Sequence, residues 1–336
     1  MDYQIAPLPD NETERLSALR SAMCAYVPRE DRFDRITRTV QRLMHVPIAM
    51  ITIVEKDVRW LRSSQGVTVP EASRDSSICS HAILSDGVFQ VNDAKLDPRF
   101  ENHPSVIGYP FVRSYCGWPL ELAPGLRVGT LCVLDTLPRY FGEDDLEIMS
   151  DLARMVEAEL RVNTMSDHQK SLMVDLSIDQ RKSMLDPLTG SWSELGFDNL
   201  VDRTKADVAA EKVFSALCAI KVLNVNDFDM DAAHPVVASN LRSMLISQAI
   251  RQRLPANAVL CHLPDGYACT LLAAHDKDLL NEQLNAISLE STGQAIEGVD
   301  MTQKLSISTA IMHIAPADIN IPASDLRSRA MAKFLD

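Results

Sequence analysis

The spacing of apolar and polar positions changes several times along the chain, and each change marks an element. Glu14 to Tyr26 reads as a first helix, and Phe33, Ile36, Val40 and Leu43 recur at three and four to give one face of a second. VPIAMITIV (46–54) is apolar at successive positions and rich in β-branched residues, as a strand buried on both faces should be. VRWLRSSQGV follows as its hairpin partner, a helix falls near SSICSHAILSD, and NDAKLDPRFENHPSV is a long polar loop. The strands RSYCGWPLEL and RVGTLCVLD close this region, which predicts a sheet with helices on one side.

From Asp144 to Met184 helix breakers are few. Met155, Val162, Gln169 and Leu176 fall seven apart, with Ala158, Met165 and Leu172 between them. One such seam predicts a two-stranded parallel coiled coil, with Gln169 as the polar position that fixes register. The competing reading is a solvated helix lying on its own domain. Beyond it come a helix over Ser193–Thr204, the strand VFSALCAIKVL, a helix over 236–252, and the hairpin VLCHLPDGYACTLL. A helix around Leu279, Leu280, Leu284 and Ile287, the strand KLSISTAI and a helix from Ala323 complete the chain. In the hairpin, Pro264 presets φ, Asp265 can bond the following backbone, and Gly266 accepts positive φ.

Length and charge sharpen this division. A chain of 336 residues is long for one domain. Residues 1–140 carry 16 basic and 17 acidic side chains, 141–186 carry 5 and 11, and 187–336 carry 12 and 18, which together give the net −13. Nowhere is there the positive surface that nucleic acid needs, so DNA is not an expected partner. No apolar run reaches the ~18 residues of a membrane span, and the acidic start is unlike a signal peptide. Seven scattered cysteines fit free thiols in a reducing cytoplasm better than a disulfide framework.

Residues 12–160 resemble a GAF domain of a particular bacterial type. The resemblance rests on RFDRITRTVQRLMHVPIAMITIVEKDVRWLRSSQG, SSICSHAIL, VNDAKLDPRFENHPSV, VRSYCGWPL and GTLCVLD, in that order. It implies a sheet that forms one wall of a small-molecule pocket or serves to dimerise. Candidate pocket residues are Trp60, Cys79, His81, Tyr115, Cys116, Trp118 and Cys132, with His81 favoured as a polar group inside it. The cysteines and His81 admit a redox, metal or haem role, or simply the packing of small buried thiols. No cofactor is assigned, and the ligand is unknown.

DPLTG (186–190) and the element order after it resemble the GGDEF domain of diguanylate cyclases. With His234 placed on the family's usual Gly-His, the metal-holding acidic position falls at Lys221 and its second acidic partner at Leu223. The base-reading Asn falls at Asp229, and the acidic position after Gly-His at Ala238. The signature itself becomes Leu263, Pro264, Asp265, Gly266 and Tyr267. The product-inhibition motif falls on Leu254-Pro255-Ala256-Asn257 and is absent, although Arg251 and Arg253 are close by and Lys333 matches a basic family position. Two metal ions held by carboxylates are what that phosphoryl transfer requires. Lys221 cannot hold one, Leu263 and Pro264 restrict backbone approach to phosphate, and Gly266 removes a carboxylate. An ion pair between Lys221 and Asp265 is expected in place of the metal.

The expected fold class is therefore α+β in two domains. A GAF-like antiparallel sheet with flanking helices (1–160) is joined by a helical connector (144–185) to a nucleotidyl-cyclase-like mixed sheet (186–336). The expected function is a non-enzymatic, cytoplasmic, homodimeric signalling protein whose degenerate GGDEF output acts through a protein partner in or near cyclic di-GMP signalling. Alternatives are a receptor for GTP or cyclic di-GMP without turnover, and an active cyclase.

Overall fold

The structure, a computed structural model, describes residues 3–67, 69, 71–162, 165–174, 176–225, 235–289, 292–295 and 304–334. It divides into two compact units, Met1–Asn163 and Thr164–Asp336. Each unit is built on its own sheet, and the fold class is α+β.

The first unit runs α1 (Glu12–Ser21), α2 (Asp31–Leu43), β1 (Ile48–Val54), β2 (Val58–Gln65), β3 (Glu71–Ser73), α3 (Ile78–Ala82), β4 (Phe89–Val91), α4 (Pro104–Ile107), β5 (Ser114–Glu121), β6 (Arg127–Asp135) and α5 (Glu143–Arg161). The sheet order is β3-β2-β1-β6-β5-β4, antiparallel throughout. Every residue of β1 is buried, as its unbroken apolar run requires. Helices α2 and α5 pack on the sheet and on each other. The α2 stripe is Phe33, Ile36, Val40 and Met44, whereas Leu43 is exposed at the helix end. Helix α1 stops earlier than the pattern predicts, because Met23 and Tyr26 take left-handed backbone conformations. Its Arg15 is fully buried, donating to the Val54 carbonyl at 2.6 Å and to Glu12 at 2.8 Å.

The second unit runs α6 (Asp167–Val174), α7 (Ile178–Ser183), α8 (Glu194–Ala209), β7 (Phe214–Val222), α9 (Pro235–Arg251), β8 (Val259–Leu263), β9 (Tyr267–Ala274), α10 (Lys277–Leu289), β10 (Thr292–Ala295), β11 (Lys304–Ile314) and α11 (Ala323–Ala332). Its sheet order is β10-β11-β7-β9-β8. The named strands pair antiparallel, and one isolated parallel bridge joins Trp192 to Cys261. Ile246, Ile250, Leu280 and Leu284 of α9 and α10 pack with Cys218, Ile220 and Leu272. The alternate β7 residues Leu217 and Ala219 are buried as well, so this central strand is covered on both faces. Arg327 of α11 ties down α8 by pairing with Glu194 at 2.6 Å and Asp198 at 3.0 Å.

The single helix expected from Asp144 to Met184 is not what forms. Helix α5 ends at Arg161, and Val162 is extended (φ −94°, ψ 119°). Arg32 ends it by donating to the carbonyls of Glu159 and Val162 at 2.6 and 2.8 Å, which satisfies acceptors that a further turn would have used. The expected seam is divided accordingly. Met155 and Ala158 lie exposed on α5, whereas Gln169 and Leu172 are buried on α6, which packs against α8.

Candidate functional site

A cavity of about 290 Å³ opens on the face of the first sheet that presents Met50, Tyr115 and Leu134. Strand pairing fixes that face: Met50 lies opposite Cys132, Gly117 opposite Cys132 on the other side, and Tyr115 opposite Leu134. Its polar lining is Arg59 from β2, Ser76, Ser77 and Cys79 around the start of α3, and His103 and Ser105 from the loop that enters α4. Arg59 Nη1 is buried without a hydrogen-bond partner, as is the Tyr115 hydroxyl. His103 Nδ1 accepts from the Ser105 amide at 3.2 Å, and burial lowers the imidazole pKa to about 4, so the ring is neutral near pH 7.

Cys79 lines this cavity, and the Cys132 sulfur lies 3.9 Å from the Cys79 sulfur. The hydrogen bond with Cys132 and the positive charge of Arg59 hold the Cys79 thiol well below its ordinary pKa. Burial pushes Cys132 the other way. The two thiols titrate as a pair, with Cys79, the one beside Arg59, favoured for deprotonation.

The remaining pocket candidates lie elsewhere. Trp60 is buried against Tyr26, with ring centroids 4.9 Å apart. Cys116 and half-buried Trp118 alternate with Tyr115 along β5 and so occupy the opposite face. Burial pushes the Cys116 thiol up to about 12. His81 is not a pocket group: its Nε2 faces the Gln4 carbonyl at 3.0 Å, its ring stands edge-on to Phe100, and burial lowers its pKa. The sequence reading missed Arg59 and His103. A basic residue inside an otherwise buried strand pair was the available signal for Arg59; nothing in ENHPS singled out His103.

In the second unit, DPLTG forms a closed turn in which Asp186 Oδ1 accepts from the amide and hydroxyl of Thr189, both at 2.7 Å. The Trp192 amide then donates to the Leu260 carbonyl at 2.9 Å, which joins the turn to β8. At the hairpin, Leu263 pairs with Tyr267, and both Asp265 and Gly266 take positive φ. Gly266 belongs there for a second reason, since a Cβ would stand 2.3 Å from Val225.

Lys221 lies opposite Tyr267 in the register of β7 and β9, and its ammonium sits 5.4 Å over that ring. The ion pair expected with Asp265 does not form. The left-handed turn leaves that carboxylate exposed, and the aromatic face takes the cation instead. Leu223 is 59% exposed just past the end of β7, and Ala238 is half-buried on α9. Asp229 and His234 lie outside the described residues. Arg251 donates to the Thr189 carbonyl, Arg253 to that of Ala249, and Lys333 to that of Ile311. Lys221 and Leu223 do not fit a carboxylate-held metal pair, and no cluster of metal-ligating side chains occurs among the described residues. Nor, among them, is any helix long and apolar enough to cross a membrane.

Comparison with known proteins gives three kinds of likeness. The chain is 37% identical over 155 residues to a cyclic di-GMP phosphodiesterase of Pseudomonas aeruginosa, which covers 46% of this chain. It spans only about a quarter (26%) of that relative's length. Among solved structures, the GAF domain of an Acinetobacter phosphoenolpyruvate-protein phosphotransferase matches with 16% identity and TM-score 0.33, covering 44% of this chain and 92% of that one. The GGDEF domain of DgcB from Caulobacter crescentus in complex with c-di-GMP matches with 14% identity and TM-score 0.35, covering 45% and 86%. Residues 28–160, which lie within the first unit, match the family model of the GAF domain.

Proposed function

We propose that the chain is a cytoplasmic, homodimeric signalling protein in or near cyclic di-GMP signalling. Its GAF unit receives the input, and its second unit is a catalytically silent GGDEF-like module that acts by contact with another protein. The observation that carries the reading is Lys221, which caps Tyr267 at the position where the resemblance to diguanylate cyclases requires a metal-holding carboxylate. A cation there repels the metal ions that would neutralise a nucleoside triphosphate. Leu263 and Pro264 beside it add side-chain bulk and remove an N–H donor where phosphate would have to approach. The likeness to a cyclic di-GMP phosphodiesterase supports the signalling context.

The test is incubation of the full chain with GTP and Mg²⁺, followed by separation of the nucleotides. The expected result is unchanged GTP and no cyclic di-GMP. Product formation above the level of a protein-free control would refute the reading.

A further inference from the structure

All seven cysteines are free and buried, but they are not equivalent. Burial pushes Cys116, Cys218 and Cys261 up to about 12, Cys24 up to about 11, and Cys269 well above its ordinary value. Those thiols are packing groups. Cys79 borders the 290 Å³ cavity and has a second sulfur, Cys132, 3.9 Å behind it. Arg59 in the same lining places a positive charge near it, with one guanidinium nitrogen unpartnered. A nucleophilic thiol at a cavity wall with a resolving thiol in contact is the arrangement that two-step thiol oxidation needs.

We propose that Cys79 and Cys132 are a reversible dithiol site in the GAF unit, oxidised to a disulfide by a hydroperoxide small enough to enter the cavity. The Cys79 thiolate attacks one peroxide oxygen and the O–O bond breaks. The leaving alkoxide or hydroxide takes up a proton, so the products are a Cys79 sulfenic acid and an alcohol or water. The Cys132 sulfur then attacks Cys79: the S–S bond forms, the S–O bond breaks, and hydroxide leaves as water with the Cys132 proton. The two sulfurs lose two electrons and the peroxide gains them. The sulfurs must close by about 2 Å to reach bonding distance, and α3, which carries Cys79, is a five-residue helix flanked by turns. A dithiol reductant reverses the reaction. This chemistry does not depend on what the second unit contacts.

The test treats the fully reduced chain with hydrogen peroxide or, in a parallel arm, tert-butyl hydroperoxide. Free thiols are then counted in denaturant, and non-reduced peptides are mapped by mass spectrometry. The count should fall from seven to five, the seven free thiols less the two joined, with one cross-link between the Cys79 and Cys132 peptides that dithiothreitol removes. Cys132→Ser should stop at a sulfenic acid on Cys79 that dimedone captures, and Cys116→Ser should keep the cross-link. A cross-link between any other pair, or a count that stays at seven under millimolar peroxide, overturns the proposal. The peptide map of the unsubstituted chain decides the matter even if a variant fails to fold.

Discussion

Gly117 offers a direct probe of the cavity wall. The Tyr115 ring folds along its own strand across Gly117. A Cβ at that position would stand 2.4 Å from the phenolic oxygen and 2.6 and 2.7 Å from Cε1 and Cζ, about 1 Å inside ordinary contact. Tyr115 is fully buried, so its ring can be displaced only into the neighbouring cavity. Overpacking of this kind costs about 1–3 kcal/mol, while replacing glycine within a strand returns up to about 1 kcal/mol. The expected net loss for Gly117→Ala is about 1–2 kcal/mol, which for a unit of this size lowers its melting temperature by roughly 2–8 °C. Thermal unfolding of the full chain by calorimetry reads the transition of the first unit. The decisive comparison is a double-mutant cycle with Tyr115→Ala, which removes the ring that clashes. In that background Gly117→Ala should be neutral or stabilising, a coupling of about 1–3 kcal/mol. Equal cost in both backgrounds, or no cost in either, would refute the reasoning.

Three other predictions follow from buried or exposed groups. The His103 imidazole is neutral in the folded chain, with its pKa near 4 against an ordinary 6.5, so the unfolded chain takes up the proton first. Stability from this group is full above pH 6.5 and is lost as pH falls towards about 4. Urea midpoints measured between pH 7 and 5 should decline less steeply for His103→Gln; an unchanged slope would count against the assignment. Arg15→Met leaves the Val54 carbonyl without its donor inside the unit and should cost about 3 kcal/mol, measured as the shift in denaturant midpoint. Met155 and Ala158 form the exposed part of the expected dimer seam, so Met155→Glu should lower the dimer fraction in sedimentation equilibrium without lowering the melting temperature.

The sequence made the central elements legible because they bury apolar surface on both faces, as β1 and β7 do. The short edge strands β3, β4 and β10 were not legible: three or four residues carry too little pattern to separate a strand from a loop. The unbroken helix that the heptad spacing predicts is interrupted for a tertiary reason. The spacing of Met155, Val162 and Gln169 is real, but Arg32, more than a hundred residues away in sequence, takes the last carbonyls of α5 and ends the helix. At the cavity, cysteine and histidine drew attention through their chemistry, yet strand alternation placed Tyr115 and Cys132 on one face, where α3 brings Cys79 to them, and Cys116 on the other. His81 was lost to the Gln4 carbonyl, a contact that no local pattern announces.

The bond from the Trp192 amide to Leu260 has a mechanical consequence. The stretch that opens the second unit does not run straight into α8. It turns at DPLTG, is bridged to itself between Leu185 and Trp192, and is then laid alongside β8 through the parallel bridge to Cys261. A pull on the chain between Leu185 and Trp192 therefore loads the edge of the sheet in shear as well as the start of α8. From Cys261, β8 runs two residues to Leu263 and the turn that pairs it with Tyr267, so the tip of that hairpin lies next to the point where such a load enters the sheet.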